Sequence, residues 1–189
     1  MKKILVILGH PSKNSLNGAM AEAYIDGAKR RHEVLSIFLS DIKFNPILDA
    51  GYVKSQKLEK DLIDAQEKIK WADHMVLFYP IWWTAPPAIL KGFFERILLP
   101  RYAFKYEKGG KVTQLLKGRT ASLIMTTGGK KIWYKLFGWI MNKPMSLGTL
   151  GFCGIKVKKQ IFISDIRKVA EKRSKKIFND MKRLGWKGI

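Results

Sequence analysis

The sequence predicts an α/β fold, an open and doubly wound sheet of five parallel strands, and three observations predict it. Short apolar runs alternate with helically periodic stretches along the whole chain. The runs are short enough to be strands covered on both faces. No internal repeat or low-complexity linker interrupts the alternation, so residues 1–189 read as a single domain. Strands joined by crossovers run in the same direction, which makes the sheet parallel.

The first strand, Ile4 to Leu8, follows Met1-Lys2-Lys3 and stops at Gly9-His10-Pro11. Its apolar run is too short for the apolar region of a secretory signal. The second runs from Val34 to Phe38, and the third from His74 to Tyr79 between Asp73 and Pro80. Thr120 to Thr126 and Val157 to Ile163 supply the fourth and fifth. Between them, helices are expected over Ser15 to Lys29, Lys57 to Trp71 and Ala88 to Leu98, with a less regular stretch at 132–150. In the second of these, Leu58, Leu62, Ala65, Ile69 and Ala72 keep helical spacing while Glu59, Asp64 and Glu67 face outward. A last helix, Ile166 to Leu184, places Ile166, Val169, Ala170, Ile177, Met181 and Leu184 on one face.

A hydrophobic content of 47% fits a globular protein, and no apolar stretch is long enough to span a bilayer. The lone Cys153 excludes an internal disulfide and a thiolate metal cluster, which fits a reducing cytoplasm. A formal net charge of +21 makes polyanions of every kind candidate partners. Positions 151–189 carry twelve Lys or Arg against Asp165, Glu171 and Asp180, a net of +9, and the leading reading is a solvated helix face. The chain has no helix-turn-helix, zinc-finger or RNA-recognition signature, so nucleic acid is disfavoured. Lys130 to Met145 mixes Trp133, Tyr134, Phe137 and Trp139 with lysines. It reads either as an interfacial membrane contact or as a cover for a pocket, and pocket cover is preferred because the stretch looks too irregular for a clean amphipathic helix.

Three loops at the carboxyl ends of strands carry chemistry. Gly9 to Gly18, with His10, Ser12, Asn14, Ser15 and Asn17, leads straight into a helix, and such a turn either holds phosphate on free amides or simply caps the helix. It is neither a GxGxxG loop nor a Walker loop. The second loop, Pro80-Ile81-Trp82-Trp83-Thr84-Ala85-Pro86-Pro87, is stiffened by three prolines. Its adjacent indoles are either core or a flat ligand wall, and the wall is favoured. The third, Thr126-Thr127-Gly128-Gly129, lets backbone approach a planar ligand, with Tyr134 shortly after it. In a sheet of order 2-1-3-4-5 these loops meet at the switch point, where phosphate, flat wall and edge donors together describe a flavin site.

With those residues in place, the chain resembles the flavodoxin-like-fold NAD(P)H dehydrogenases, the family of the NAD(P)H quinone oxidoreductases. The resemblance covers nearly the whole chain. Its most specific parts are Gly9-His10-Pro11 with Ser15-Leu16-Asn17, Phe44-Asn45-Pro46, Pro86 to Gly92 with Phe94-Glu95-Arg96, and Thr126 to Gly129. It implies that His10, Ser15, Leu16 and Asn17 hold the flavin phosphates. It further implies that Pro80, Ile81, Trp82, Trp83 and Thr84 line the ring, with Thr127, Gly128 and Gly129 at its other edge. Tyr134 matches the family's active-site tyrosine, and Phe104 and Tyr106 match a pair of tyrosines that reaches the partner subunit's substrate. Two departures stand out. Ile140 occupies the place of the histidine that partners the tyrosine, and the segment between Pro46 and Lys57 is short.

The resemblance therefore implies a cytoplasmic, homodimeric NAD(P)H-dependent oxidoreductase that passes hydride through bound flavin to a quinone or similar acceptor. FAD is favoured over FMN. Catalysis would rest on Tyr134 and on the amides of Gly128 and Gly129. The alternative is an ancillary flavoprotein docked on a membrane or an ion-transport protein through its basic C-terminal region.

Overall fold

The computed structural model describes all residues except Ala50, Ser55 and Val169, and only the backbone of Lys131, Trp133, Lys135, Trp139 and Lys168. The sheet is built from β1 (Lys3–Leu8), β2 (Glu33–Phe38) and β3 (His74–Pro80). A small antiparallel hairpin follows, β4 (Phe104–Tyr106) with β5 (Val112–Gln114), and then β6 (Thr120–Thr126) and β7 (Lys156–Ile163) complete the sheet. All neighbouring strands of the five-stranded sheet are parallel in the order β2-β1-β3-β6-β7, which is 2-1-3-4-5 once the hairpin is set aside.

The alternation of side chains along β1 explains the two cores. Ile4, Val6 and Leu8 point to one face, where Met20 and Tyr24 of α1 (Leu16–Ala28) pack with Ile177 and Met181 of α5 (Glu171–Lys187). Leu5 and Ile7 point to the other, under Leu62 and Ile69 of α2 (Lys60–Trp71) and Leu90 and Phe93 of α3 (Ala88–Ile97). The fourth helix, α4 (Lys131–Lys143), lies on that second face with Met141 against the core. Every residue of β3 is buried, as a central strand covered on both sides requires, whereas the edge strand β7 exposes Lys156, Lys158, Lys159 and Gln160.

Most element ends fall within a residue of the sequence expectation, and four larger departures each have a local reason. Helix α2 begins at Lys60 rather than Lys57, because the buried guanidinium of Arg96 holds the preceding backbone through Lys57 O (3.0 Å) and pairs with Glu59 (2.7 Å). Helix α5 begins at Glu171, after a single tight turn at Ile166–Lys168, and the carbonyls of Ser164 and Asp165 are taken by Arg173. Residues 131–143 form a regular helix where an irregular stretch was expected, and the chain then widens into π-helical turns over Pro144–Gly151. Pro144 has no N–H to give to an α-helical carbonyl, so the regular ladder ends there. The hairpin β4–β5 escaped the sequence reading since three-residue strands are too short to show a period.

Candidate active site

The first loop is shaped by its own hydrogen bonds. The Gly9 N–H donates to Phe78 O (2.8 Å), and the Ser12 N–H donates to Nδ1 of His10 (2.9 Å). Ser15 caps α1, its Oγ accepting from the Gly18 N–H at 3.2 Å while its hydroxyl donates to Ser12 O at 2.9 Å. Among the described residues, the N–H groups of Leu16 and Asn17 have no hydrogen-bond partner. Two free amides at the positive end of a thirteen-residue helix make a cradle for a phosphate. Gly18 is needed for that shape, because a Cβ there would lie 2.0 Å from Lys13 O.

Asn17 corrects one expectation. Its side chain is buried and turns inward, Nδ2 donating to Thr126 Oγ1 at 2.8 Å, so it ties the first loop to the end of β6 and leaves only its backbone N–H for an anion. A buried amide must find a partner inside the protein, and Thr126 is within reach. Its Oδ1 and the neighbouring Thr127 Oγ1 are both buried without a protein partner.

The loop after β3 puts its indoles outside the core. Ile81 is buried and its N–H donates to Thr126 O (2.8 Å), which joins this loop to the next one. Trp82 N–H donates to Ala85 O (2.9 Å) and Ala85 N–H donates back to Trp82 O (3.0 Å), closing a tight reverse turn. Its two central residues, Trp83 and Thr84, have φ of 50° and 61°. That is the left-handed pair for which Asn-Gly is the usual choice, and a β-branched threonine there is strained. The strain coincides with exposure: Trp83 is 98% exposed and Trp82 45%, the latter meeting the His10 ring edge to face at 5.5 Å. Strained residues that project large rings into solvent are what a ligand wall needs and what a core turn does not.

The third loop is fastened from below. Thr127 N–H donates to Ile163 O (3.0 Å), and Gly129 O accepts from the Asp165 N–H (3.0 Å). Neither Gly128 nor Gly129 has a positive φ, so their requirement is for space. A Cβ on Gly129 would stand 2.9 Å from the Tyr134 hydroxyl, which places that hydroxyl over the glycine edge. The Tyr134 ring is held by stacking on Phe162 (5.8 Å, 25°). A Cβ on Gly128 would stand 3.2 Å from Nε of Arg167. Arg167 was missed from sequence because it was read as part of the last helix; it belongs to a fourth loop, after β7, that reaches the same place. The strained Asp165, φ 59°, lies in that loop.

Pro80, Ile81, Trp82, Trp83, Thr84, His10, Ser15, Leu16, Asn17, Thr127, Gly128, Gly129 and Tyr134 thus lie on loops and on the strand and helix ends that flank them, joined to one another at the carboxyl end of the sheet. Phe104 and Tyr106 do not join them within one chain. They line a separate cavity of about 400 Å³ with Phe94 and Phe152, Phe104 meeting Phe152 at 4.9 Å, and none of the three loops lines it. Arg96 and Asn45 prove structural: the Arg96 guanidinium is bonded to Asn45 O as well as to Glu59. Cys153 is buried, and burial pushes its thiol up to about 11, so it is no thiolate nucleophile at neutral pH.

A flavin fits these residues, with free amides for its phosphate, exposed indoles for its rings, glycines at a planar edge and buried polar atoms beneath them still unpaired.

Residues 2–185 match the model of the flavodoxin-like fold family. The chain is 32% identical over 187 residues to the NAD(P)H dehydrogenase (quinone) 1 of Cavia porcellus, covering 83% of this chain and 66% of that protein. It therefore spans just under two thirds of that relative's length. An uncharacterized NAD(P)H oxidoreductase of Haemophilus influenzae is 30% identical over 178 residues, covering 90% of this chain and 88% of that one. Among solved structures, the FMN-dependent NADH-azoreductase of Bacillus anthracis in complex with FMN superposes with a TM-score of 0.75 at 19% identity, over 99% of each chain, and shares the fold. The chain belongs to the flavodoxin-like fold family.

Proposed function

We propose that this chain is a flavin-dependent NAD(P)H oxidoreductase that delivers hydride to a quinone or similar small acceptor, acting as one flavin-binding domain in the cytoplasm. The observation that carries the reading is the joining of an amide cradle, an exposed indole wall and a glycine edge at the switch point of a parallel sheet. Bound flavin supplies the two-electron chemistry, accepting and releasing hydride. The amides of Leu16 and Asn17 hold its phosphate, and Ser15, whose own donors are taken by Ser12 O and Lys13 O, caps the helix beside them. Trp82 and Trp83 fix the ring plane and keep water from it. The N–H groups of Gly128 and Gly129 face the ring edge, where donors favour negative charge. Arg167, beside Gly128, adds a cation at that edge.

The Tyr134 hydroxyl lies over Gly129 and orients the acceptor. With Ile140 in place of a histidine, its part is a hydrogen bond given to the acceptor oxygen and not a proton relay. NAD(P)H and acceptor occupy the same exposed place in turn, a ping-pong order.

FMN suits the site better than the FAD favoured from sequence. One helix N-terminus offers a cradle for one phosphate, the segment between Pro46 and Lys57 is short, and the Bacillus anthracis neighbour of the same fold carries FMN. The working unit is a homodimer, in which Phe104 and Tyr106 from a second copy cover the acceptor, since within one chain they stand apart from the loops. The mass of the small molecule released on denaturation tests the whole reading. FMN bears it out, FAD revises the cofactor alone, and failure to take up either flavin at micromolar concentration removes it.

A further inference from the structure

At the carboxyl end of β7 lies a cavity of about 330 Å³ whose lining includes Lys130, Phe162, Ser164, Asp165 and Arg173. It stands one strand beyond the glycine edge of β6 and two beyond the indole wall of β3, roughly 10 Å from that wall by strand spacing. Its walls are tied to the candidate site. Besides the bonds that fasten the third loop, Ile166 N–H donates to Thr127 O at 3.3 Å.

Two observations give the cavity a chemistry. The first is charge: Lys130 and Arg173 line it, and Arg167 stands next to it at Gly128. Among the described residues neither Lys130 nor Arg167 has a carboxylate partner. Arg173 gives two of its five N–H donors to Ser164 O and Asp165 O, which fixes the guanidinium against the wall and leaves the others unspent. The second is Ser164, 4% exposed, whose Oγ is buried without a partner. Such a hydroxyl is costly unless something from outside the protein bonds it.

We propose that this cavity seats the 2′-phosphate and adjoining ribose of NADPH, so that NADPH rather than NADH is the donor. The inference rests on the function proposed above, in which the nicotinamide stacks on a ring held between the indole wall and the glycine edge. The adenosine end of the dinucleotide then runs outward, and a cavity one strand beyond the glycines is within its reach. A phosphomonoester suits an ammonium and a guanidinium, whose fork takes two oxygens at once. The flavin phosphate is not the occupant, since its cradle is the N-terminus of α1. Asp165 favours the rival donor, because a carboxylate suits the free ribose diol of NADH, but three cations outnumber it.

Calorimetric titration of the FMN-supplemented protein with adenosine 2′,5′-bisphosphate and with adenosine 5′-monophosphate tests the site without turnover. The bisphosphate is expected to bind at least about tenfold more tightly. Lys130→Gln and Arg173→Gln should each weaken it by about fivefold, with the monophosphate and the FMN content unaffected. Lys130 is exposed and bonds nothing in the fold, so its variant reads the site even where Arg173→Gln loosens the loop. Equal affinity for the two nucleotides, or a preference that survives Lys130→Gln, overturns the proposal. A loss of flavin reduction by NADH on Asp165→Asn overturns it as well, by giving the cavity to the unphosphorylated ribose. Selective binding of the bisphosphate by a protein that takes up no flavin would remove the proposed reaction and leave the phosphate site standing.

Discussion

The two ends of the sheet are built on opposite principles. At the amino end the polar groups close on one another: Lys3 N–H donates to Asp73 Oδ2 (2.9 Å), Asp73 N–H to Lys3 O (2.9 Å) and Thr120 N–H to Asp73 O (3.0 Å). His74 Nδ1 meets Thr120 Oγ1 at 2.7 Å, and Arg119 Nε donates to Ile69 O at 3.0 Å. At the carboxyl end the amides of Leu16 and Asn17, Asn17 Oδ1 and Thr127 Oγ1 lack partners among the described residues, and the strained turn at Trp83 and Thr84 holds rings in solvent. Apart from His74 Nε2, which is buried without a partner, the polar groups named at the amino end are spent on stability, whereas those named at the carboxyl end are left open to a ligand. The difference teaches where function resides in this fold without reference to any relative, and it can be broken by substitutions that separate binding from stability.

The largest effect is expected at Gly128→Val. The nearest atoms to a new side chain belong to the exposed and movable Arg167, and the backbone there has no positive φ, so the fold should tolerate the change. A ring lying against the glycine would not. Flavin affinity is expected to fall by at least about 100-fold, equivalent to ~2.7 kcal/mol, with the thermal midpoint of the apoprotein unmoved. Fluorescence titration of FMN reads the first and a thermal melt the second; normal affinity would make Gly128 an ordinary turn residue and erase the contrast between the ends.

At the amino end the effect should appear in stability alone. Burial lowers the His74 pKa to about 4 from an ordinary 6.5, with the charge of Lys2 adding to the shift. Between those values only the unfolded chain binds the proton, so falling pH favours unfolding. Stability is complete above about pH 7 and is lost as pH falls toward 4, by about 2 kcal/mol between pH 7 and pH 5. Urea midpoints at the two pH values measure it, and His74→Gln should flatten that slope while flavin affinity holds. An unchanged slope would assign the acid sensitivity to another group.

Much of this was legible in the sequence, for identifiable reasons. The strands and the three loops followed from apolar runs such as His74 to Tyr79, because a central strand must be apolar throughout, whereas the order 2-1-3-4-5 was taken from the flavodoxin-like pattern and the sheet bears it out. What was hidden depended on pairings distant in sequence. Nothing in Asn17 announces that its amide turns inward to Thr126, a partner 109 residues away. Arg167 reaches Gly128 only because Arg173 takes the Ser164 and Asp165 carbonyls and delays the last helix. The regularity of α4 was obscured by its aromatic residues, which masked a four-residue aliphatic spacing at Ile132, Leu136 and Ile140.

A smaller effect sharpens the division of labour within the carboxyl end. Tyr134→Phe removes one hydroxyl over Gly129 and leaves the stacking on Phe162. If that hydroxyl only orients the acceptor, reoxidation should slow about tenfold, ~1.4 kcal/mol, as for one lost hydrogen bond, while reduction by NAD(P)H changes little. Stopped-flow measurement of the two half-reactions separates them. A loss of a hundredfold or more, with a new pH dependence, would point to a relay that Ile140 argues against.

The smallest effect tests the strain itself. Replacing Trp83 and Thr84 by Asn and Gly supplies the pair that prefers positive φ at both positions of the turn. Since Trp83 is almost wholly exposed, its removal costs no core packing, and relief of two left-handed non-glycine residues should stabilise the apoprotein by about 1 kcal/mol. The same change deletes one indole of the wall, so the flavin that binds more weakly should do so by a few-fold, Trp82 remaining against His10. Urea unfolding of the apoprotein and FMN titration of the same variant read the two quantities. Gain in one with loss in the other is the signature of strain maintained for binding. A variant that loses stability would show that Trp83 packs on the protein in solution, and the turn at the carboxyl end would then belong with the closed amino end rather than opposite it.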